Sequence, residues 1–318
     1  MQQTPSYTYL VTGGAGFIGS HMAGALLDGG HRVRVVDNFS TGKRENLAHV
    51  ADRIDLRAIS ITDRAALGEA MDGVDYVFHL AALASVPRSV ADPLGSNEHN
   101  VTGTLNVLLA ARDAGVKRVV YAGSSSAYGN VESEYKSEDM LPQPLSPYAV
   151  AKLAAEHYCQ TFTEVYGLET VTARYFNVFG PRQDPLSTYA AVIPKFITAM
   201  LDGHPPVVEG DGLQSRDFTY IANVVHGNLL ACHTPGVAGE TFNIAVGGRI
   251  SLLEMIDALN AIMGTQIEPV FTDPRPGDVR HSRASIEKAR ARLGFEPQVS
   301  FEDGLARTVA WYANNGRG

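Results

Sequence analysis

From Thr8 to about Phe179 the chain alternates short runs of β-branched and apolar residues with longer stretches in which apolar positions recur at helical spacing. TYLVTGG, HRVRVVDN, IDLRAIS, VDYVFHLAA, VKRVVYAGS and LETVTARYFNV read as strands. Segments between them, such as FIGSHMAGALLDGG and NVTGTLNVLLAARDAG, read as amphipathic helices that stop at glycine. Strand and helix in alternation predict an α/β, doubly wound fold, a parallel sheet with helices on both faces.

After Gly180 the pattern loosens into loops rich in Pro and Gly, with short helices expected in YAAVIPKFITAMLDG and SLLEMIDALNAIMG. These make a smaller lobe. ETFNIA, Glu240 to Ala245, reads as a strand returning to the main sheet, so the lobe is discontinuous. The expected division is residues 1–176 with 220–245 for the main domain, and 177–219 with 246–318 for the lobe.

Composition narrows the function without naming it. At 318 residues the chain has room for a large α/β unit with an attached lobe. Its net charge of -8, without a long basic run, argues against nucleic acid or an anionic membrane as partner, so any phosphate must be met locally. Cys159 and Cys232 stand far apart with no His/Cys cluster nearby, so neither a disulfide framework nor a metal site is expected. No basic region precedes an apolar core at the N-terminus, and no apolar run approaches the roughly 18 residues that span a bilayer. A cytoplasmic protein, neither exported nor inserted, is the expectation.

VTGGAGFIGS places Gly13, Gly16 and Gly19 after the first strand and at the start of a helix. Backbone amides and the helix dipole can hold a pyrophosphate there. The second strand ends in Asp37, placed to accept hydrogen bonds from the ribose hydroxyls of a dinucleotide. A carboxylate there repels the extra phosphate of NADP, which favours NAD; Arg44 nearby keeps NADP as the lesser alternative. Asp37 as a plain strand-end turn residue is the competing reading.

Tyr148 and Lys152 lie one helical turn apart in SPYAVAK, where Ser146 suits an N-cap, Pro147 the first helical position, and Gly167 the stop. A neutral tyrosine, with a pKa of about 10, is a poor base, and using it near neutrality requires a nearby positive charge. Lys152 can supply one, and the pair can take a hydroxyl proton as hydride leaves the same carbon. Ser124, Ser125 and Ser126 follow the fifth strand at the carboxyl edge of the sheet, where such folds bind ligands. A serine there can hold the reacting oxygen.

With TGGAGFIGS, DNFSTG, HLAA, SSSAYG, SPYAVAK, RYFNVFGPRQ, SRDFTYIANVV and RPGDVRHS in this order, the chain resembles the extended short-chain dehydrogenases/reductases. Within them it is similar to the NAD-dependent nucleotide-sugar epimerases. The resemblance implies a Rossmann-type cofactor domain, the smaller lobe binding the nucleotide sugar, and a homodimer. It implies a pyrophosphate site at Gly13, Gly16, Phe17, Ile18 and Gly19, and a ribose site at Asp37 and Asn38 bordered by Ser40, Thr41 and Gly42. Ile61 would flank the adenine, with Ser60 standing where the family often has Asp. Leu80, Ala81, Ala82, Asn100, Ala122 and Tyr175 would line the dinucleotide together with Tyr148 and Lys152.

Tyr148 matches the family base, and Ser124 best matches the serine sharing the sugar oxygen, with Ser125 and Ser126 as contenders. Sugar 4,6-dehydratases carry an acidic Asp-Glu pair after a threonine in this loop, and SSSAYG lacks it, which favours epimerisation at sugar C4 through a 4-keto sugar. Arg216 and Arg280 resemble diphosphate clamps, with Asn177 in reach and Val192 beside the substrate; guanidinium forks suit phosphate oxygens. Ser282 aligns with a bulky tyrosine of epimerases restricted to non-acetylated UDP-hexoses, and Ser85 and Arg88 in LASVPRSVADP fall near the sugar. The implied activity is interconversion of UDP-GlcNAc and UDP-GalNAc. UDP-glucose or UDP-glucuronate 4-epimerisation is the near alternative; an NADP-dependent keto-sugar reductase and a non-catalytic NAD sensor are the more distant ones.

Overall fold

The computed structural model describes residues 6–131, 133–185, 191–274 and 280–315. In chain order the first half contains β1 (Thr8–Thr12), α1 (Phe17–Asp28), β2 (Arg32–Val36), β3 (Ile54–Arg57), α2 (Arg64–Met71) and β4 (Tyr76–His79). Then come α3 (Val86–Ala91), α4 (Pro93–Asn97), α5 (Gly103–Asp113), β5 (Arg118–Ser124), α6 (Pro147–Tyr166) and β6 (Glu169–Tyr175). The second half has β7 (Val178–Phe179), α7 (Val192–Leu201), β8 (Val207–Glu209), β9 (Ser215–Arg216), β10 (Thr219–Tyr220) and α8 (Ile221–His233). It ends with β11 (Thr241–Ile244), β12 (Ile250–Ser251), α9 (Leu252–Met263), β13 (Val270–Thr272), α10 (Glu287–Leu293) and α11 (Phe301–Asn315).

One parallel sheet of seven strands runs in the order β11-β6-β5-β4-β1-β2-β3. All six strands expected from the sequence are in it, and β11, within Glu240 to Ala245, completes one edge beside β6. Strand order reverses between β1 and β4, whose ends pair Thr12 with His79. A crevice for a ligand opens outside the carboxyl ends of the strands at such a reversal.

The sheet is covered on both faces because side chains alternate along each strand. Tyr9, Val11, Val35, Phe78 and Val120 pack in one core cluster with residues of α1 and α8. Leu10, Val36, Val77, Val119 and Tyr121 pack in a second, with α2, α5 and α6. Burying both faces leaves the carboxyl edge as the place where polar side chains can gather.

Local chemistry sets the element ends as the sequence suggests. Ser146 Oγ accepts the Ala149 amide at 3.2 Å, Pro147 opens α6, and Gly167 closes it in the left-handed region at φ 70°. Ser251 and Glu254 form a capping box on α9, and Gly264 ends it. One boundary differs: the stretch from Asn100 does not start as an α-helix, because Glu98–Thr102 forms a wide π turn before α5 begins at Gly103. Gly103 lets α5 approach Ile61, since a Cβ there would lie 2.6 Å from Ile61 Cδ1. Of the helix expected in YAAVIPKFITAMLDG, α7 forms Val192–Leu201, while Tyr189 and Ala190 lie outside the described residues.

Candidate active site

The glycine turn, the end of β2 and the loop after β4 enclose a cavity of about 250 Å³ at the switch in strand order. Gly13, Gly16, Phe17, Ile18 and Gly19 line one side, and Asp37, Asn38, Ser40, Thr41 and Gly42 another. Ile61 and Leu80 to Ala82 complete it, joined by Val36, Ile59, Leu83, Ala84 and His99, which the motifs did not indicate.

Backbone crowding explains the glycines. A Cβ on Gly19 would sit 2.2 Å from the Gly13 carbonyl oxygen, and one on Gly13, at φ 66°, would sit 2.7 Å from the Ala81 backbone. The turn therefore stays bare of side chains and presents amides, next to the start of α1, as a pyrophosphate needs.

Asp37 is buried, and its two oxygens accept the amides of Ala15 at 2.9 Å and Phe39 at 2.8 Å. Burial raises its pKa while the amide hydrogen bonds hold it down. The carboxylate thus ties the glycine turn to the end of β2 and also faces the cavity. Ser60 turns away, its Oγ 2.8 Å from Thr62 Oγ1, so the position where the family often has Asp is spent on a local turn.

Beneath the cavity runs a buried chain of hydrogen bonds. Thr104 Oγ1 donates to the Asn100 carbonyl at 2.7 Å and so accepts from His79 Nε2 at 2.9 Å. That leaves His79 Nδ1 to accept from Thr12 Oγ1 at 2.7 Å, while Thr12 Oγ1 accepts the Leu80 and Ala81 amides. Burial, helped by the charge of Lys152, lowers the His79 pKa to about 3, so the ring is neutral. Asn100, expected beside the dinucleotide, is buried, and its side chain bonds Leu83 N and O and Ser96. It fixes the wall of the cavity and is not among its lining residues.

Tyr148 and Lys152 project from the first turns of α6 toward the end of β5. Ser124 lies close enough to the Tyr148 hydroxyl to counter the effect of burial on it. Ser124 Oγ also lies 2.8 Å from Ser126 Oγ and accepts the Ser126 amide, capping the short 3₁₀ turn Ser125–Tyr128. Of the three serines, Ser124 is the one whose hydroxyl counters the effect of burial on Tyr148.

Lys152 is held against the end of β5. Its buried ammonium donates to the Ala122 carbonyl at 2.9 Å and lies 4.9 Å from the Tyr121 ring centre, and burial lowers its pKa to about 8. Burial raises the Tyr148 pKa, and the Ser124 side chain counters it. Tyr175 is held by Asn228 Oδ1 at 2.8 Å.

A second cavity, of about 490 Å³, has Asn177, Val192 and Arg216 among its lining residues together with Lys195, Gln214 and Phe218. Asn177, at φ 32°, donates from Nδ2 to the Asp217 carbonyl at 3.2 Å. Asp217 is fully buried, its carboxylate accepting the amides of Val246 and Ala284, and burial raises its pKa to about 6. It joins β9 to the loops after β11 and before α10.

Arg280 does not line this cavity; it lines a neighbouring one of about 460 Å³, where it pairs with Asp211 at 2.8 Å near solvent. Arg216 Nη1 reaches the Arg280 carbonyl at 3.2 Å, so the two arginines are adjacent through the backbone. Ser282 donates its amide to the Ser215 carbonyl at 3.1 Å and is absent from these cavity linings. Part of the RPGDVRHS motif, residues 275–279, lies outside the described residues. Ser85 caps α3 by accepting the Arg88 amide at 3.2 Å. Among the described residues no helix is long and apolar enough to cross a membrane, and no group of three or more His, Cys, Asp or Glu is placed to hold a metal.

A sequence profile of the NAD dependent epimerase/dehydratase family matches residues 9–245. The chain belongs to that family. The UDP-glucose 4-epimerase of Mycolicibacterium smegmatis is 40% identical to it over 309 residues, covering 96% of this chain and 98% of the relative. Among solved structures, the UDP-N-acetylglucosamine 4-epimerase from Methanobrevibacter ruminantium, in complex with UDP-N-acetylmuramic acid, aligns with a TM-score of 0.94 at 40% identity, covering 98% and 100% of the two chains. The UDP-glucose 4-epimerase of Thermus thermophilus in complex with NAD aligns with a TM-score of 0.89 at 36% identity, covering 97% and 100%. NAD is thus the cofactor, and the smaller cavity suits it: the bare amide turn fits a pyrophosphate, and a buried carboxylate stands at the end of β2.

Proposed function

We propose that the protein is a UDP-N-acetylglucosamine/UDP-N-acetylgalactosamine 4-epimerase working through a transient 4-keto sugar. The arrangement that carries the reading is Tyr148 and Lys152 on the first turns of α6, with Ser124 near the Tyr148 hydroxyl, at the carboxyl edge of the sheet. There Ser124 pairs with Tyr175, two residues before Asn177 in the larger cavity. Bound NAD supplies the hydride acceptor and donor at C4. The protein's part is to take the C4 hydroxyl proton at Tyr148, share the oxygen with Ser124, and return the proton when the opposite face of the turned keto sugar is reduced.

In this proposal residues 1–176 and 220–245 hold the cofactor, and 177–219 and 246–318 grip the UDP so that the hexose can rotate. Arg216 lines the cavity of the second unit, and Arg280 would join it by leaving Asp211. The small side chain of Ser282 leaves room for an N-acetyl group. A second reading, UDP-glucose 4-epimerase, is favoured by the likeness to the M. smegmatis relative. A homodimer belongs to the proposal: Val90, Leu94, Val150, Tyr158 and Val165 leave apolar surface exposed on α3, α4 and α6.

The decisive experiment incubates the purified protein with UDP-GlcNAc and no added cofactor, then separates the epimers. UDP-GalNAc formed without added NAD supports the scheme, and dependence on NADPH overturns it. Conversion of UDP-glucose alone selects the second reading. Ser282→Tyr is expected to abolish turnover of acetylated sugars and spare UDP-glucose; undiminished activity on UDP-GlcNAc by a folded variant removes the size argument.

A further inference from the structure

The first amides of α6 have no partners within the helix and must find them elsewhere. Pro147 has none to place, and Ser146 takes those of Ala149 and Val150 through its hydroxyl and its carbonyl. The remaining one, on Tyr148 itself, donates to Ser89 Oγ at 3.0 Å, across a sequence separation of 59 residues. Ser89 is 1% exposed, and its hydroxyl proton goes to the Val86 carbonyl at 2.7 Å. Both the donor and the acceptor capacity of this serine are therefore committed, one within α3 and one to the backbone of the tyrosine.

Helix α3 is otherwise well anchored. Ser85 caps it, Asp92 donates its amide back to the Arg88 carbonyl at 2.8 Å, and Leu83 before it is bonded through both N and O to Asn100 at the cofactor wall. On the reading above, the same short helix carries Ser85 and Arg88 toward the sugar.

We propose that Ser89 is a positioning residue. It locks the first turn of α6 to α3 and so keeps the Tyr148 side chain in place at the end of β5. The inference rests on the assignment of Tyr148 as the base. Without the Ser89 oxygen the Tyr148 amide loses its partner, α6 is free to shift against α3, and the Tyr148 hydroxyl moves away from Ser124. Displacements of this size far from the reacting bond lower turnover because alignment is lost, not because binding is lost.

The test compares Ser89→Ala and Ser89→Cys with wild type in epimerase turnover as a function of pH, with KM, bound NAD and thermal midpoint measured on each. The expected order in kcat is wild type, then Cys, then Ala. Alanine falls about tenfold or more at unchanged KM. The acid limb of its kcat profile moves to higher pH, because a phenol displaced from Ser124 loses the neighbour that counters its burial; a residue serving stability alone would not move that limb. Should the alanine variant fail to fold, the cysteine variant, which keeps the volume but offers a weaker acceptor, decides the matter by the same readouts. Wild-type kcat and an unmoved acid limb in the folded variants overturn the inference and leave the epimerase reading standing. A wild-type protein that makes no epimer overturns that reading and this inference with it.

Discussion

Asp37 has room for two tasks that look like alternatives in the sequence. Each of its oxygens accepts one backbone amide, from Ala15 in the glycine turn and from Phe39, which itself lies in the left-handed region at φ 59°. A carboxylate oxygen has a second lone pair, so two amides leave room for two ribose hydroxyls. Gly42 packs against the same group, since a Cβ there would fall 2.8 Å from Asp37 Oδ2. Asp37→Asn would point an NH₂ at one of the two amides, leaving a buried donor unsatisfied. The expected cost is about 1–3 kcal/mol of stability in the NAD-free protein, in addition to weaker NAD retention. Urea unfolding of the NAD-stripped variant measures the first and the NAD content of the purified variant the second. An NAD-free variant as stable as wild type would mean that the carboxylate serves the cofactor alone.

Helix α6 divides what sequence can carry from what it cannot. Its start and stop were legible because Ser146, Pro147 and Gly167 act on their immediate neighbours. So was most of the lining of the cavity at the strand switch, whose glycine turn and β2 end are each a contiguous stretch. The walls of the larger cavity come from several separated segments, from Asn177 to Leu252, and only Asn177, Val192 and Arg216 were anticipated there. Ser89 and Glu156 escaped for the same reason, their partners being distant in the chain. Two turns along α6 from Tyr148, Glu156 receives Arg174 of β6 through two hydrogen bonds of 2.9 and 2.6 Å, both side chains being 3% exposed. Arg174 also lies 4.7 Å from the Tyr128 ring centre. This pair fixes the depth at which α6 sits on the sheet. Removing one partner strands a buried charge, so Glu156→Leu should cost about 3–5 kcal/mol, whereas Glu156→Leu with Arg174→Met should recover most of it. Urea unfolding of both variants checks this; a double variant no better than the single would show that the pair stabilises beyond cancelling its own burial.

Across the whole molecule, a buried histidine, His79, and a half-buried one, His21, join elements around the candidate site. His79 links β1, β4 and α5, and burial lowers its pKa to about 3. His21 on α1 lies 2.9 Å from the Pro181 carbonyl and accepts from Arg182, which ties the loop after β7 to the cofactor side. Burial and Arg182 lower its pKa to about 4. In the unfolded chain both rings take up a proton near the ordinary value of about 6.5. As the pH falls from there toward these lowered values, the unfolded chain binds more protons than the native one, and stability falls with it. Asp217 acts in the opposite sense: its raised pKa of about 6 lets the native state take up a proton before the unfolded chain does. The histidine contribution is therefore best read as a difference between variants. His79→Gln can still donate and accept but cannot titrate. It should be less stable than wild type at pH 7.5, where the neutral ring makes its full network, and that deficit should shrink by about 3 kcal/mol by pH 4.5, at roughly 1.4 kcal/mol per pH unit below 6.5. Urea unfolding of both proteins at the two pH values gives the comparison, and a deficit that does not change with pH would mean that His79 takes up its proton in the folded protein as readily as in the unfolded chain.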